Sequence, residues 1–588
     1  MQHCTAMPRG PGLLSLVFDA PVDRPNGSPV VALTPDALDA CREMGLHPNV
    51  VDDLVDRIRV LPDSDDYLRW QYRWFHDLDD SSDADGSLVA CTNALKLAMD
   101  SLVTIGRLAE ALLEVVAPAA VEFIGPDRGV TADDPLGHGL PMFYSPLHGD
   151  LPLWGPTVRS IAEDRGIEFA ARPGGTRSRP IARSETPRDR LVSRLVRASS
   201  PARRFDALNR WRVGRSGGSV LTTWAGGYGS QQIARDAHHR GQRVLTLERD
   251  RPTTRILEPA LTGWRARSRP IDTTPRLAHP PGTPGFDEVV RVSATASRDI
   301  DRWTTTPLSP MIRSRVEALV GRVAPTVSVV ADGLVPDLER LGISTVVSSN
   351  PWALEEFAAL RAASRIGASR VLAQHGDHLF PYDDWLVGET NNFDVMLTSD
   401  RTLLDDLPEA GHRLGFPVPT LQPSDHRRVR PVRYDRAGPV CYVPTMLMGD
   451  NFSLPTWSNG DGAWYHRWHL QLLEWMQRRP ETKFVWKTMH GTNQVPDRIV
   501  DRIVTGAPNV SYETRPLRTV LRDMSRIVID TPSTALYESE QAGLPVCLLV
   551  FDRFANLRPR AAERFASSIR RCADPDQALR ELTAWLGS

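Results

Sequence analysis

Short apolar runs closed by Gly, Pro or Asp recur along this chain, separated by stretches with apolar residues at helical spacing. That is the pattern of buried strands alternating with amphipathic helices. Leu13–Phe18 and Val30–Leu33 read as strands, and Thr34–Arg42 as a helix. Val121–Pro126 reads as a strand ending in a loop, and Gly155–Gly166 as a helix leading into Ile167–Ala170. Between them, Tyr67, Trp70, Tyr72, Trp74 and Phe75 fall at helical spacing, and Leu88–Val116 is a long amphipathic stretch. Aromatic stripes of this kind build cores, so no chemistry is assigned to them. The alternation resumes with a strand from Ser219, a turn containing Gly226, Gly227, Tyr228 and Gly229, a helix, and a strand at Arg243–Glu248. Further strands are predicted at Ser344–Ser349, Ser369–Gln374, Phe393–Asp400, Val440–Thr445, from Lys483, and at Val510–Tyr512, with helices near Trp352–Ile366 and at Tyr465–Met476. Arg526–Phe551 then reads as strand, tight turn, helix and strand, with Gly543 ending the helix. The class predicted is α/β with mostly parallel sheets.

Composition divides the pattern. A chain of 588 residues exceeds one ordinary core. Residues 172–218 shift to Arg, Ser, Pro and Gly, and a Pro-rich segment, Gly415–Ser424, precedes a basic one. The expected organisation is therefore an α/β region with a helical, aromatic insertion at 1–171, a basic linker at 172–218, a Rossmann-like region at 219–425 completing the N-terminal half, and a second Rossmann-like domain at 426–588. The linker has two readings, a solvated connector or peripheral contact with an anionic membrane surface or polyanionic acceptor. A net charge of -2 argues against a bulk nucleic-acid binder. Six scattered cysteines argue against zinc sites and disulfides, and no signal peptide or apolar run of about 18 residues is visible. A cytoplasmic protein is expected, with the inner face of the plasma membrane as its point of contact if the basic segment binds lipid.

Candidate chemistry gathers at predicted strand ends, where open parallel sheets bind ligands. Ser369–Gln374 delivers His375, followed by Gly376 and Asp377, and the strand from Lys483 passes Lys487 and ends near His490 and Gly491. Pro532 suits a first helical turn, and Ser533 and Thr534 add hydroxyls where backbone N–H groups are unpaired, which makes an anion site. Glu538 follows one turn on. A phosphate at the helix start and a hydroxyl-rich group at Glu538 would suit a nucleotide diphosphate and its ribose; an ordinary capped βαβ unit fits the same residues. The Gly226–Gly229 turn is a weak phosphate motif, equally explained as a tight turn beneath an open cleft. Lysine occurs only at 96, 483 and 487. No paired carboxylate motif ends a strand, so no metal and no cofactor are expected.

Gln374-His375-Gly376, Lys487-Thr-Met-His490-Gly491, and Asp530-Thr-Pro-Ser533-Thr534 with Glu538 and Gly543-Leu-Pro545 together resemble the motif set of bacterial surface-carbohydrate transferases. These include CDP-glycerol glycerophosphotransferases, which make teichoic acids, and bacterial sialyl- and Kdo-type glycosyltransferases. The segment from Phe551 through Leu557-Arg558 to Ala561 is similar to one in the surface-carbohydrate branch. The resemblance covers roughly residues 340 to 565. It implies a GT-B fold, two Rossmann-like domains facing a cleft, and metal-independent transfer of a sugar or polyol phosphate from a nucleotide-activated donor to a hydroxyl on a glycan or lipid-linked acceptor. It further implies that His375 is the catalytic base; Asp377 reads as an orienting partner for it or as a loop cap. His490, Lys487, Ser533 and Thr534 would hold the donor phosphate, and Glu538 the ribose or sugar. Gly491 stands where the related histidine motif has proline. A nucleotide-sugar epimerase of the same build and a non-catalytic nucleotide-sugar-binding scaffold are the alternative readings.

Overall fold

A computed structural model describes residues 12–125, 154–175, 218–223, 228–374, 391–445, 462–487 and 499–587, apart from positions 19–20, 27, 83, 251–252, 261–262, 350, 352, 425–428, 434, 436, 500–501, 504–505 and 555–556. The basic segment lies outside the described residues beyond 175.

Three sheets carry the fold. The first is wholly parallel and joins β1 (Leu13–Val17), β2 (Val30–Ala32), β3 (Ala120–Ile124) and β4 (Glu168–Arg172) in the order β2-β1-β3-β4. The helices Ser64–Ser82 and Thr92–Val116 enter between β2 and β3. Tyr67, Trp70, Trp74 and Phe75 are buried there, as their spacing predicts. Tyr67, Gln71 and Lys96 converge on the buried Asp100, satisfying a carboxylate that would otherwise be costly inside the helical layer.

The second sheet contains β5 (Ser219–Thr222), β6 (Arg243–Asp250), β7 (Thr253–Ala260), β8 (Gly263–Ala266), β9 (Ile271–Asp272), β10 (Ile343–Ser348), β11 (Ser369–Ala373), β12 (Val395–Thr398) and β13 (Thr420–Pro423). Its parallel part runs β13-β12-β11-β10-β5-β6, and β7, β8 and β9 extend it antiparallel. The Pro-rich Gly415–Ser424, expected as a crossing, supplies β13. Proline is tolerated on such an edge because one side of the strand donates to no neighbour. Among the described residues the helical rod Ser309–Arg340 is, by length and composition, long and apolar enough to cross a membrane. Val327, Val330, Leu334 and Leu338 are buried in the core, which accounts for its apolar face.

The third sheet is all parallel: β14 (Val440–Val443), β15 (Phe484–Lys487), β16 (Val510–Glu513), β17 (Arg526–Ile529), β18 (Val546–Phe551) and β19 (Ile569–Cys572), ordered β16-β15-β14-β17-β18-β19. Numbered within the unit this is the dinucleotide-fold order 3-2-1-4-5-6. The α/β class is as expected, and residues 12–175 add a sheet of their own instead of extending the second one. They nevertheless share a core with it: Leu14, Phe75 and Leu102 join one apolar cluster with Val327, Phe357 and Leu372. They also share a core with the third unit, where Val17, Leu38 and Ile124 pack with Tyr442, Trp464 and Trp486.

Candidate active site

Strand order places the site. In the third sheet the chain winds one way from β14 to β16 and the other way from β17 to β19, so the crevice beyond the C-terminal ends of β14 and β17 is the switch point where such sheets bind ligands. Thr445 follows β14 there, and Asp530, Thr531 and Ser533 follow β17.

Asp530 organises this crevice. Its side chain is fully buried. Oδ1 accepts from the Thr445 backbone N–H at 2.6 Å and the Thr445 hydroxyl at 2.9 Å. Oδ2 accepts from the Tyr442 hydroxyl, from Trp468 Nε1 at 3.2 Å, and lies 3.1 Å from His469 Nε2. Five contacts from uncharged or titratable donors on two oxygens suit an acceptor-only carboxylate, and a satisfied buried network of this kind fixes one geometry. Burial, reinforced by the Asp530 charge, holds the Tyr442 phenol well above the usual tyrosine range, so Tyr442 acts as a donor. Thr445 and Thr531 are hydrogen-bonded to each other, and Tyr465 lies 3.3 Å from the Thr531 hydroxyl. The ends of β14 and β17 are thus tied together across the switch point.

The helix beyond β17 runs Thr534–Gln541, with Ser533 as its N-cap in extended conformation. Pro532 precedes the cap instead of occupying the first turn. The Ser533 side chain makes no capping bond to the helix, and the Leu536 N–H is bonded to the Ser533 carbonyl at 2.9 Å; the positive end of the helix still faces the switch point, the end at which helices receive phosphate. Glu538, one turn in, is buried and accepts from Arg518 Nη2 at 3.0 Å. One of its oxygens is thereby committed to a cation. Lys487 ends β15 and is also buried; burial lowers its pKa from the usual lysine range, opposed by the charges of Glu513 and Glu538 and by Cys441. The Cys441 thiol beside it is pushed up to about 12 by burial.

Of the residues singled out from sequence, Lys487, Ser533, Thr534 and Glu538 belong to the described part of this edge. His490 and Gly491 lie outside the described residues, as do His375, Asp377, Gly226 and Gly227. Tyr228 and Gly229 begin the helix Tyr228–His239. The second sheet changes winding direction between β5 and β10, so β5, the strand before these residues, ends at that sheet's own switch point, and Tyr228 and Gly229 are helical where a turn is expected. Sequence reasoning passed over Asp530, Tyr442, Thr445, Trp468 and His469. The available signal was an aspartate closing an apolar strand in the middle of the motif already singled out.

No family model matches this chain, and no curated protein matches it. Among solved structures it is similar to the pneumococcal O-GlcNAc transferase GtfA in complex with UDP and GlcNAc, at 13% identity and TM-score 0.30, over 43% of this chain and 52% of that one. It is also similar to a glycosyltransferase from Rickettsia africae, at 8% identity and TM-score 0.33, over 63% and 88%. A third is the UDP-GlcNAc 2-epimerase from Neisseria meningitidis, at 11% identity and TM-score 0.30, over 44% and 73%. The match spans about half the length of the pneumococcal transferase. Likeness at this level assigns neither substrate nor reaction.

Proposed function

We propose that the chain is a nucleotide-donor transferase that holds its donor at the switch point of the third sheet and moves a sugar or polyol-phosphate unit to a hydroxyl acceptor. The observation that carries this is the Asp530 network, which ties Thr445 and Thr531 together at the switch point, two residues before the Ser533 helix start. Hydroxyls held at a helix start, with a buried lysine at the neighbouring strand end, are suited to the charge that builds on a departing phosphate. Thr445, Ser533, Thr534 and Lys487 would hold the phosphates. Glu538, bridged to Arg518, would face a ribose or sugar hydroxyl. His375, directly after Gln374 at the end of β11, would deprotonate the acceptor, with His490 as a further phosphate partner. This chemistry calls for no metal or cofactor.

The test is melting of the purified protein with UDP, CDP, CMP and GDP, because a ligand that binds only the folded state raises its apparent stability. One nucleotide is expected to raise the melting temperature in wild type and to lose that effect in Ser533→Ala and Lys487→Met. No shift with any nucleotide would refute the reading. Incubating the stabilising donor with and without glycan acceptors then separates transfer from epimerisation.

A further inference from the structure

The segment Leu557-Arg558-Pro559 has a place in the fold that donor binding does not use. Arg558 is buried, and its guanidinium reaches out of the third unit to the end of β12. Nη2 donates to Asp400 Oδ2 at 2.9 Å and to the Thr402 hydroxyl at 3.1 Å, and Nη1 pairs with Asp406. Asp400 is itself fully buried. Its Oδ1 accepts from the Thr402 N–H and hydroxyl, at 2.9 and 2.8 Å. Around this pair, Arg560 bonds Asp406 at 2.5 Å and Glu409 at 2.7 Å, and Arg564 lies 3.5 Å from Asp400.

The contact runs on into both sites. On the second sheet, the Thr398 hydroxyl donates to Gln374, the residue immediately before His375, and accepts from the Asp400 N–H at 3.0 Å. On the third unit, Arg564 pairs with Glu540 at 3.0 Å and lies over the Tyr537 ring, both on the Thr534–Gln541 helix. Among the described residues no apolar cluster contains members of both the second and the third sheets. Hydrogen-bonded charge pairs are directional and have few equivalent arrangements, so such an interface specifies a register.

We infer that Arg558 is a positioning residue: its pairing with Asp400 registers the β11–β12 edge of the second sheet against the Ser533 helix of the third. The inference rests on the donor reading above for its catalytic consequence, and on geometry alone for the register.

The experiment compares wild type, Arg558→Met, Asp400→Asn and their double variant, with Arg558→Lys as the milder substitution should Arg558→Met not fold and Arg560→Ala as the exposed control. Amide exchange is read at 369–374 and 395–400, nucleotide affinity by calorimetry, and transfer by single-turnover kinetics. Exchange at those strand ends is expected to rise in both single variants, and no further in the double. Turnover should fall by about a hundredfold, the scale of a small misplacement, with nucleotide affinity unchanged. Unchanged exchange in Arg558→Met (or Arg558→Lys) and Asp400→Asn, or additive effects in the double, would overturn the inference. So would a loss of nucleotide affinity matching the loss of turnover, which would make Arg558 part of the donor site. If wild type binds no nucleotide the donor reading fails, and the exchange data still decide the register.

Discussion

The third unit meets its two neighbours in opposite ways. Against residues 12–175 it buries a shared apolar core around the helix Gly462–Gln477, where Trp464 stacks edge-on with Phe551 at 4.8 Å and Phe554 at 4.6 Å. The same helix adds an ion pair, Arg467 with Asp53 at 2.6 Å, and sets His466 Nε2 3.1 Å from Asp39. Against the second sheet it offers the Arg558, Arg560 and Arg564 cluster. Apolar packing is dense and resists sliding, whereas polar interfaces resemble those of separable partners. The first region, which shares an apolar core with the second sheet as well as with the third unit, is therefore the common foundation, and the charged contact is the direct joint between the second and third units.

The greatest effect is expected on the apolar side. Trp464→Ala removes a fully buried indole from the packing of both units and is expected to destabilise by about 3–5 kcal/mol. Chemical denaturation followed by calorimetry checks it. The first region and the third unit should lose stability together, and separate melting of the third unit alone would break the idea of a common foundation.

Next comes Asp530→Asn, which joins the two halves of the comparison because Trp468 and His469 come from the interface helix while Thr445 belongs to the crevice. An amide cannot accept on both ends, so at least two of the five contacts are left facing an NH2 group. A loss of about 2 kcal/mol or more is expected, together with loss of nucleotide-induced stabilisation. Retention of the nucleotide response would show that the network supports the interface and not the site.

Much of this was legible in the sequence, for a physical reason. Strands of a parallel sheet are covered on both faces, so β17 and β18 read as unbroken apolar runs, and Gly543 with its positive φ of 78° marks the helix end between them. The antiparallel extension β7–β8 was not anticipated. Thr253–Ala260 mixes Thr, Arg, Glu and Pro with few apolar residues, and its charges are absorbed by cross-strand pairs such as Arg243 with Glu258 and Arg255 with Glu248. Asp530 was visible as a letter, but its partners at 442, 445, 468 and 469 are brought to it by strand order and helix packing, which no local pattern records. Likewise Leu557-Arg558 stood out as a motif, and only the position of Asp400 in another sheet gives it a role.

The smallest effect should come from Arg467→Ala, and it is the most discriminating. Arg467 and Arg558 are both arginines bonded across a boundary of the third unit, and Arg467 makes the better-formed fork, with both nitrogens at 2.6 Å from the Asp53 carboxylate. Ranked by hydrogen bonds alone, Arg467 would matter at least as much. Its side chain retains 19% exposure against 8% for Arg558, however, and water can replace part of what it loses. Apolar packing beside it already fixes the boundary, so removal should cost no more than about 1 kcal/mol, with strand-end exchange and nucleotide response unchanged. A buried arginine at a boundary without such packing has no substitute. If Arg467→Ala loosened the first region from the third unit as much as Arg558→Met frees the end of β12, charge would govern both boundaries and the foundation-and-joint distinction would fall.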